Sequence, residues 1–230
     1  MTNSAQRLAA AYDRRKTNTD DRYSFFNAAN LHMVQMRERK TLELFKLLGI
    51  TNFAEKKILD IGCGGGRELV NFVRYGAEMK NCHGIDLLEE RVAAAKQKLP
   101  SSRILCGDAA SNLPWPDGHF DVITQFTVFT SILESDVKSS LAKEILRVLS
   151  PNGILLWYDF HIDNPRNPDV KGVKKAEIKM LFPDCRVVLN KITLAPPLIR
   201  LIAPYSTIFC AFLEKLQFLN THYLGYIQKI

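Results

Sequence analysis

The 230-residue chain carries a net charge of +7, with 47% apolar and 24% charged residues. That balance suits one cored domain with additions, or two small ones, and excludes disordered, fibrous and repeat classes. The basic residues are scattered, with short clusters only at Arg14-Arg15-Lys16 and Lys174-Lys175. A solvated basic surface is therefore expected ahead of nucleic-acid or anionic-lipid binding.

In chain order, the start "MTNSAQRLAAAYDRRK" lacks the apolar run of a signal peptide. The most apolar stretch, Leu201 to Leu213, contains proline and is shorter than the roughly 20 residues of a spanning helix. The five cysteines are spread out, without a C-x-x-C pair. Reduced thiols in a cytoplasmic protein are expected. "YSFFNAANLHMVQMRER" reads as a helix with aromatics near its start, and "TLELFKLL" as a second helix capped by Gly49. "KKILDIG" is a short strand, then a glycine turn, then the helix "RELVNFVRYG". "NCHGIDLL", "SRILCGD" and "FDVITQFTVF" read as strands, with the helix "EERVAAAKQKL" after the first of them. "VKSSLAKEILRVL" is an amphipathic helix, and beyond the turn "SPNG" lies the strand "ILLWYDF". "KKAEIKMLF" is a further helix; "CRVVLNKITL" and "THYLGYIQKI" are the last strands, separated by an apolar, proline-rich insert at 195–220 expected to be helical. Strands alternating with helices predict an α/β fold with a mostly parallel, seven-stranded sheet and helices on both faces. Residues 1–52 form an N-terminal helical cap or lid, and 53–230 the main domain.

The turn "ILDIGCGGG" sits where a strand meets a helix, at the sheet edge where ligands bind. Glycines there let backbone approach a ligand, and free N–H groups at a helix start favour negative charge. A dinucleotide fingerprint would need glycine at position 67, where Arg67 stands. The pattern is instead D-x-G-x-G-x-G: Asp60, Gly62, Gly64, Gly66.

With its downstream partners this stretch resembles the class I S-adenosylmethionine-dependent methyltransferases, of the type 11 kind, over about Lys56 to Asp159. "LDIGCGGG" resembles the family's first motif, which cradles the methionine part of the cofactor and implicates Asp60, Gly62, Cys63, Gly64 and Gly66. Asp86 of "GIDLLEERV" lies 24 residues past Gly62, where the family places an acid on the ribose hydroxyls, followed by Leu87. "CGDAASNLPWPDGHFDVI" resembles the third region, where Gly107, Asp108 and Ala109 would meet the adenine. The resemblance implies a Rossmann-like fold, S-adenosylmethionine as cofactor and S-adenosylhomocysteine as product. Without the resemblance, Asp60 reads as a turn cap, Asp86 as a helix N-cap and Asp108 as a loop residue; Trp115 reads as packing between prolines.

Acceptor-side groups should project from the ends of the fourth and fifth strands. Gln125 and Thr127 come from the fourth, with Gln125 also reaching the cofactor. Tyr158, Asp159, His161 and Asp163 come from "WYDFHIDNP". His161 is the candidate base because imidazole titrates near neutrality. The N-P-P-Y-like motif of amino-methyltransferases is missing from the fourth strand. Asp159, Asp163 and Asp169 could in principle hold a cation, but Asn-Pro and Asp favour solvated turns, so no metal is expected. The apolar cap and insert predict a small-molecule acceptor with a lipophilic or glycan-linked part, methylated on a hydroxyl of a sugar, glycolipid or secondary metabolite. Small-molecule N-methylation, or RNA or protein methylation, is the competing expectation; nucleic acid is disfavoured for want of a basic or aromatic binding module. A monomer or homodimer, with peripheral membrane contact open to it, completes the expectation.

Overall fold

The computed structural model describes Arg7, residues 23–165 and residues 167–230. Helix α1 spans Ala28–Leu47, and the Asn27 side chain accepts hydrogen bonds from the Ala29 and Asn30 N–H groups at its start. The two helical stretches expected upstream of Gly49 are thus one helix, because nothing between Arg39 and Thr41 breaks the chain. Ion pairs from Arg39 and Lys40 to Glu43 span the junction. Tyr23, Phe25 and Phe26 precede the helix and are exposed.

The strands are β1 (Ile58–Ile61), β2 (Cys82–Asp86), β3 (Arg103–Cys106), β4 (Phe120–Phe126), β5 (Leu149–Phe160), β6 (Cys185–Leu194) and β7 (Asn220–Lys229). They form one seven-stranded sheet in the order β3-β2-β1-β4-β5-β7-β6. β7 runs antiparallel to both β5 and β6, and the other pairings are parallel. β5 begins earlier than the sequence reads, with "SPNG" inside it and a register irregularity opposite Phe120 and Val122. The remaining helices are α2 (Arg67–Arg74), α3 (Glu89–Lys98), α4 (Ser135–Val148), α5 (Lys175–Leu181), α6 (Pro196–Ile202) and α7 (Thr207–Leu213).

Alternation along the strands divides the core between the two sheet faces. Leu59, Ile61, Ile123 and Trp157 bury against Leu141, Ile145 and Val148 of α4 and Ile178 of α5. Ile58, Val122, Leu156 and Tyr158 bury against α1, α2 and α3, where Phe45, Phe53 and Phe72 meet edge to face at 5.0–5.8 Å. A satellite core joins Ala29 of α1 to Leu194, Ile199, Ala203 and Cys210 of β6 and the 195–220 insert. The sheet order reverses between β1 and β4, and the glycine turn leaves the carboxyl end of β1 at that switch point.

Candidate active site

Backbone conformation accounts for the glycine run. Gly62, Gly64 and Gly66 have φ of +66°, +53° and +79°, a region that other residues enter only at a cost. A β-carbon on Gly62 would lie 2.7 Å from Val128 Cγ2, and one on Gly66 3.2 Å from the Ala95 β-carbon of α3. The turn is fastened to β2: the Gly62 and Cys63 N–H groups donate to the Ile85 carbonyl at 2.8 and 3.1 Å. Asp86 closes the fastening, accepting from Gly64 N–H at 2.8 Å and Leu88 N–H at 3.0 Å. It therefore braces the turn from the end of β2; the N-cap of α3 is Leu88, without a side-chain cap bond. Cys63 is buried, which pushes its thiol up, and its Sγ lies 3.8 Å from the Gly64 carbonyl.

Carboxylates gather at this turn. Asp60 is buried and accepts from the Thr124 hydroxyl at 2.7 Å. Burial holds its carboxyl well above the usual range; Glu68 and Asp86 push the same way, against the Thr124 hydrogen bond and Arg37. Arg37, from α1, is ion-paired with Glu68. Its guanidinium also lies 5.1 Å from the Phe126 ring centre and 5.2 Å from that of Tyr158.

At the end of β3, Gly107 N–H donates to the Asp86 carbonyl and Cys106 Sγ to the Leu87 carbonyl. Asp108 folds the next loop, accepting from Ala110 N–H at 2.9 Å and Ser111 Oγ at 3.1 Å; Ala109 is half-buried between them. At the end of β4, the Gln125 side-chain Oε1 accepts from Val128 N–H at 3.2 Å, while its Nε2 is buried without a partner. A buried amide donor left open is costly and marks a place for an acceptor atom. Thr127 follows with φ +59°, its N–H donating to the Tyr158 carbonyl. A β-branched residue in that region is strained, as at many functional sites.

The acceptor-side candidates divide between the two faces. Gln125 and Asp159 point to the α4 side and Tyr158 to the α1 side. Asp159 is fully buried, accepting from the Thr130 hydroxyl (2.6 Å) and N–H (3.2 Å) and from Phe160 N–H (2.9 Å). Burial pushes its carboxyl up to about 7 against those donors. Its lone pairs hold the turn Phe129–Ser131 through Thr130. His161 stacks on Tyr223, with its Nε2 2.9 Å from the Asn220 carbonyl. Nε2 is therefore the protonated nitrogen of the neutral ring, and burial lowers the affinity of the ring for a second proton. The Tyr158 hydroxyl lies 3.1 Å from Thr193 Oγ1, and its ring stacks on His222 at 4.7 Å. Asp163 accepts from Gly172 N–H, and Asp169 N–H donates to Asn167 Oδ1. Among the described residues no trio of His, Cys, Asp or Glu is placed to hold a metal ion. Trp115 packs edge to face on His83 and Phe120, near the start of β2 and away from the turn.

Arg37, Glu68, Thr193 and His222 join this site from α1, α2, β6 and β7, and motif reading missed them. Thr193 has φ +64°, which no residue pattern announces. The acid at Glu68, two residues into a helix that begins at a glycine turn, was the one available signal.

Residues 59–157 match a family described as the methyltransferase domain. An uncharacterized methyltransferase of Synechocystis is 30% identical over 122 residues, 52% of this chain and 55% of that protein. The 2-methyl-6-phytyl-1,4-hydroquinone methyltransferase of the same organism is 30% identical over 129 residues, 54% of this chain and 38% of that protein. These matches span about half or less of each relative's length. A S-adenosylmethionine-dependent methyltransferase of Archaeoglobus fulgidus has the same fold, with a TM-score of 0.60, 19% identity, and coverage of 90% of this chain and 97% of that one. Residues 59–157 thus match a methyltransferase domain, and the chain has the fold of an S-adenosylmethionine-dependent methyltransferase.

Proposed function

We propose that the protein methylates a hydroxyl of a small-molecule acceptor with a lipophilic or glycan-linked part: a sugar, glycolipid or secondary metabolite. The observation that carries the cofactor half is the electrostatic demand at the turn. Glu68 and Asp86 both act on the buried Asp60, Arg37 is the cation paired with Glu68, and burial holds the Asp60 carboxyl well above its usual range. A ligand bearing an ammonium and a sulfonium satisfies that demand, and the orphaned Gln125 Nε2 offers it a hydrogen bond. When bound, S-adenosylmethionine supplies a methyl group on a sulfonium to an in-line nucleophile.

In this reading Gly62, Cys63, Gly64 and Gly66 hold the amino-acid end with bare backbone, and Asp60 answers the ammonium. Asp86 turns its remaining lone pairs to the ribose hydroxyls, and Leu87 with Gly107, Asp108 and Ala109 flanks the adenine. On the acceptor side, Gln125 and Tyr158 align the nucleophile and His161, neutral with Nδ1 as acceptor, takes its proton. Asp159 acts one step back by fixing Thr130. The described part of the cap, residues 23–52, and the insert 195–220 wall the acceptor. Support for a lipophilic acceptor comes from their apolar surfaces and from the relative named for a phytyl hydroquinone.

Two measurements test this. Because Asp60 is held above its ordinary range, binding a cation should release a proton, so affinity should rise with pH and calorimetry in buffers of different ionisation enthalpy should show proton release. In Asp60→Asn both effects should vanish; unchanged linkage would remove Asp60 from the ammonium. Methyl transfer from labelled cofactor into lipid, glycolipid and polar metabolite extracts, with acid and base stability of the product, identifies the atom. Label in RNA, protein or an amine would refute O-methylation of a small molecule.

A further inference from the structure

The insert between β6 and β7 buries one side and leaves a large apolar surface on the other. Ile199, Ala203 and Cys210 point into the satellite core. Leu201, Tyr205, Ile208, Phe209, Phe212 and Phe218 are exposed, Tyr205 by 88% and Ile208 by 83%. Phe209 and Phe212 lie parallel at 6.3 Å, so the outer face of α7 is aromatic. So many large apolar side chains exposed in eighteen residues need a partner.

Charge on the insert narrows the partner. Between Ala195 and Asn220 the charged residues are Arg200, Glu214 and Lys215. Glu214 is turned inward: it accepts from Leu194 N–H at 3.3 Å and faces His32 Nε2 at 3.6 Å, with 11% of its side chain exposed. Arg200 and Lys215 are exposed, one just before Leu201 and the other between Phe212 and Phe218. The face is therefore apolar, aromatic and purely cationic, on a chain of net charge +7. Apolar and aromatic groups that enter the headgroup region, flanked by cations that meet lipid phosphates, are the chemistry of an interfacial anchor. No described helix is long and apolar enough to cross a membrane, so the contact lies along the surface.

Continuity with the cofactor turn gives the face a use. Ala28, Ala29 and Met33 pack into the same satellite core as the insert. Phe25 and the fully exposed Phe26 are within three residues of it. The Arg67 guanidinium, directly after Gly66, lies 5.7 Å from the Phe25 ring centre. The apolar rim thus runs from the insert to the residue that opens α2. We infer that α6, α7 and the segment before α1 form a docking surface for an anionic lipid bilayer, which sets the cofactor turn beside the membrane surface. The inference concerns the surface and stands whether or not the acceptor is the one proposed above.

Sedimentation of the full chain with vesicles of phosphatidylcholine alone, and of phosphatidylcholine with phosphatidylglycerol, tests it. Binding to the anionic vesicles, weakened by salt and much weaker on neutral ones, is expected. Ile208→Ser/Phe209→Ser/Phe212→Ser should lower it by at least about tenfold. Arg200→Glu/Lys215→Glu should remove the preference for anionic lipid. Both variants alter exposed side chains and should keep the wild-type melting temperature and cofactor affinity, which verifies their folding. Absence of binding to either vesicle, or a triple variant that binds as wild type, would overturn the inference. So would a dimer in light scattering that the triple variant dissociates, since a second copy would then own the face. Vesicle binding without methyl transfer to any lipid, glycolipid or polar metabolite extract would remove the acceptor reading and leave this one intact.

Discussion

At Gly62 a side chain is forbidden twice, by φ of +66° and by Val128 Cγ2 at 2.7 Å from the missing β-carbon. Gly62→Ala should cost about 2–4 kcal/mol by denaturant unfolding, combining backbone strain with overpacking. Adding Val128→Ala should restore only the overpacking part; full recovery would mean that the dihedral strain is negligible. Asp159 makes a prediction of the opposite kind, in pH. Its folded value of about 7 lies above the unfolded value of about 3.9. Between those values the folded state keeps a proton that the unfolded chain has lost, so this group lowers stability as pH rises from about 4 to 7 and is level beyond. The sum over that window is roughly 4 kcal/mol. His222, lowered to about 3 by burial, slopes the other way below about 6.5, so the quantity to follow is the difference between wild type and Asp159→Asn. That difference in melting temperature should shift steadily in the variant's favour from pH 4 to 7, and a constant difference would contradict the raised carboxyl.

Helix α1 shows how an element can be legible and its role hidden. Its apolar spacing and Gly49 stop mark helix in the sequence, though as two stretches, and the Asn27 cap is seen only in the structure. What it does depends on polar residues that look like solvated surface there. Arg37 pairs with Glu68 and covers the Phe126 and Tyr158 rings, while the Tyr75 hydroxyl donates to Glu38 at 3.0 Å. These contacts fasten α1 to α2 and to the ends of β4 and β5. The Arg37–Glu68 side chains are 16% exposed each, so removing one partner strands the other in a poorly solvated place. Arg37→Ala should destabilise the protein by about 2 kcal/mol and speed hydrogen exchange in α1 ahead of the sheet. Equal acceleration everywhere would mean that the pair supports the whole fold and not the docking of α1. The same pattern holds at the insert, whose apolar composition was plain in the sequence. Which of its side chains turn inward was settled only by packing against Ala29 and Leu194.

For the whole molecule, ligand binding should report directly on stability. A ligand held only by the folded state at a hundred times its dissociation constant adds about 2.7 kcal/mol. In a chain of 230 residues that raises the melting temperature by roughly 5–10 °C. S-adenosylmethionine should produce such a shift and NAD none; equal shifts would return the glycine turn to the dinucleotide class. The sequence by itself determined the alternation of strands and helices, the glycine turn and the acids at the ends of β1 and β2. Those signals are local: each is a period, a spacing or a backbone requirement set within a few residues. Only the tertiary structure decided that Asp159 braces Thr130, that Asp86 holds Gly64 N–H, and that Arg37, Thr193 and His222 gather around Tyr158. Burial, electrostatic environment and hydrogen-bond partners arise from different chain segments, 22 residues apart for Gly64 and Asp86 and 121 for Arg37 and Tyr158. No local pattern encodes them until the sheet brings those segments together.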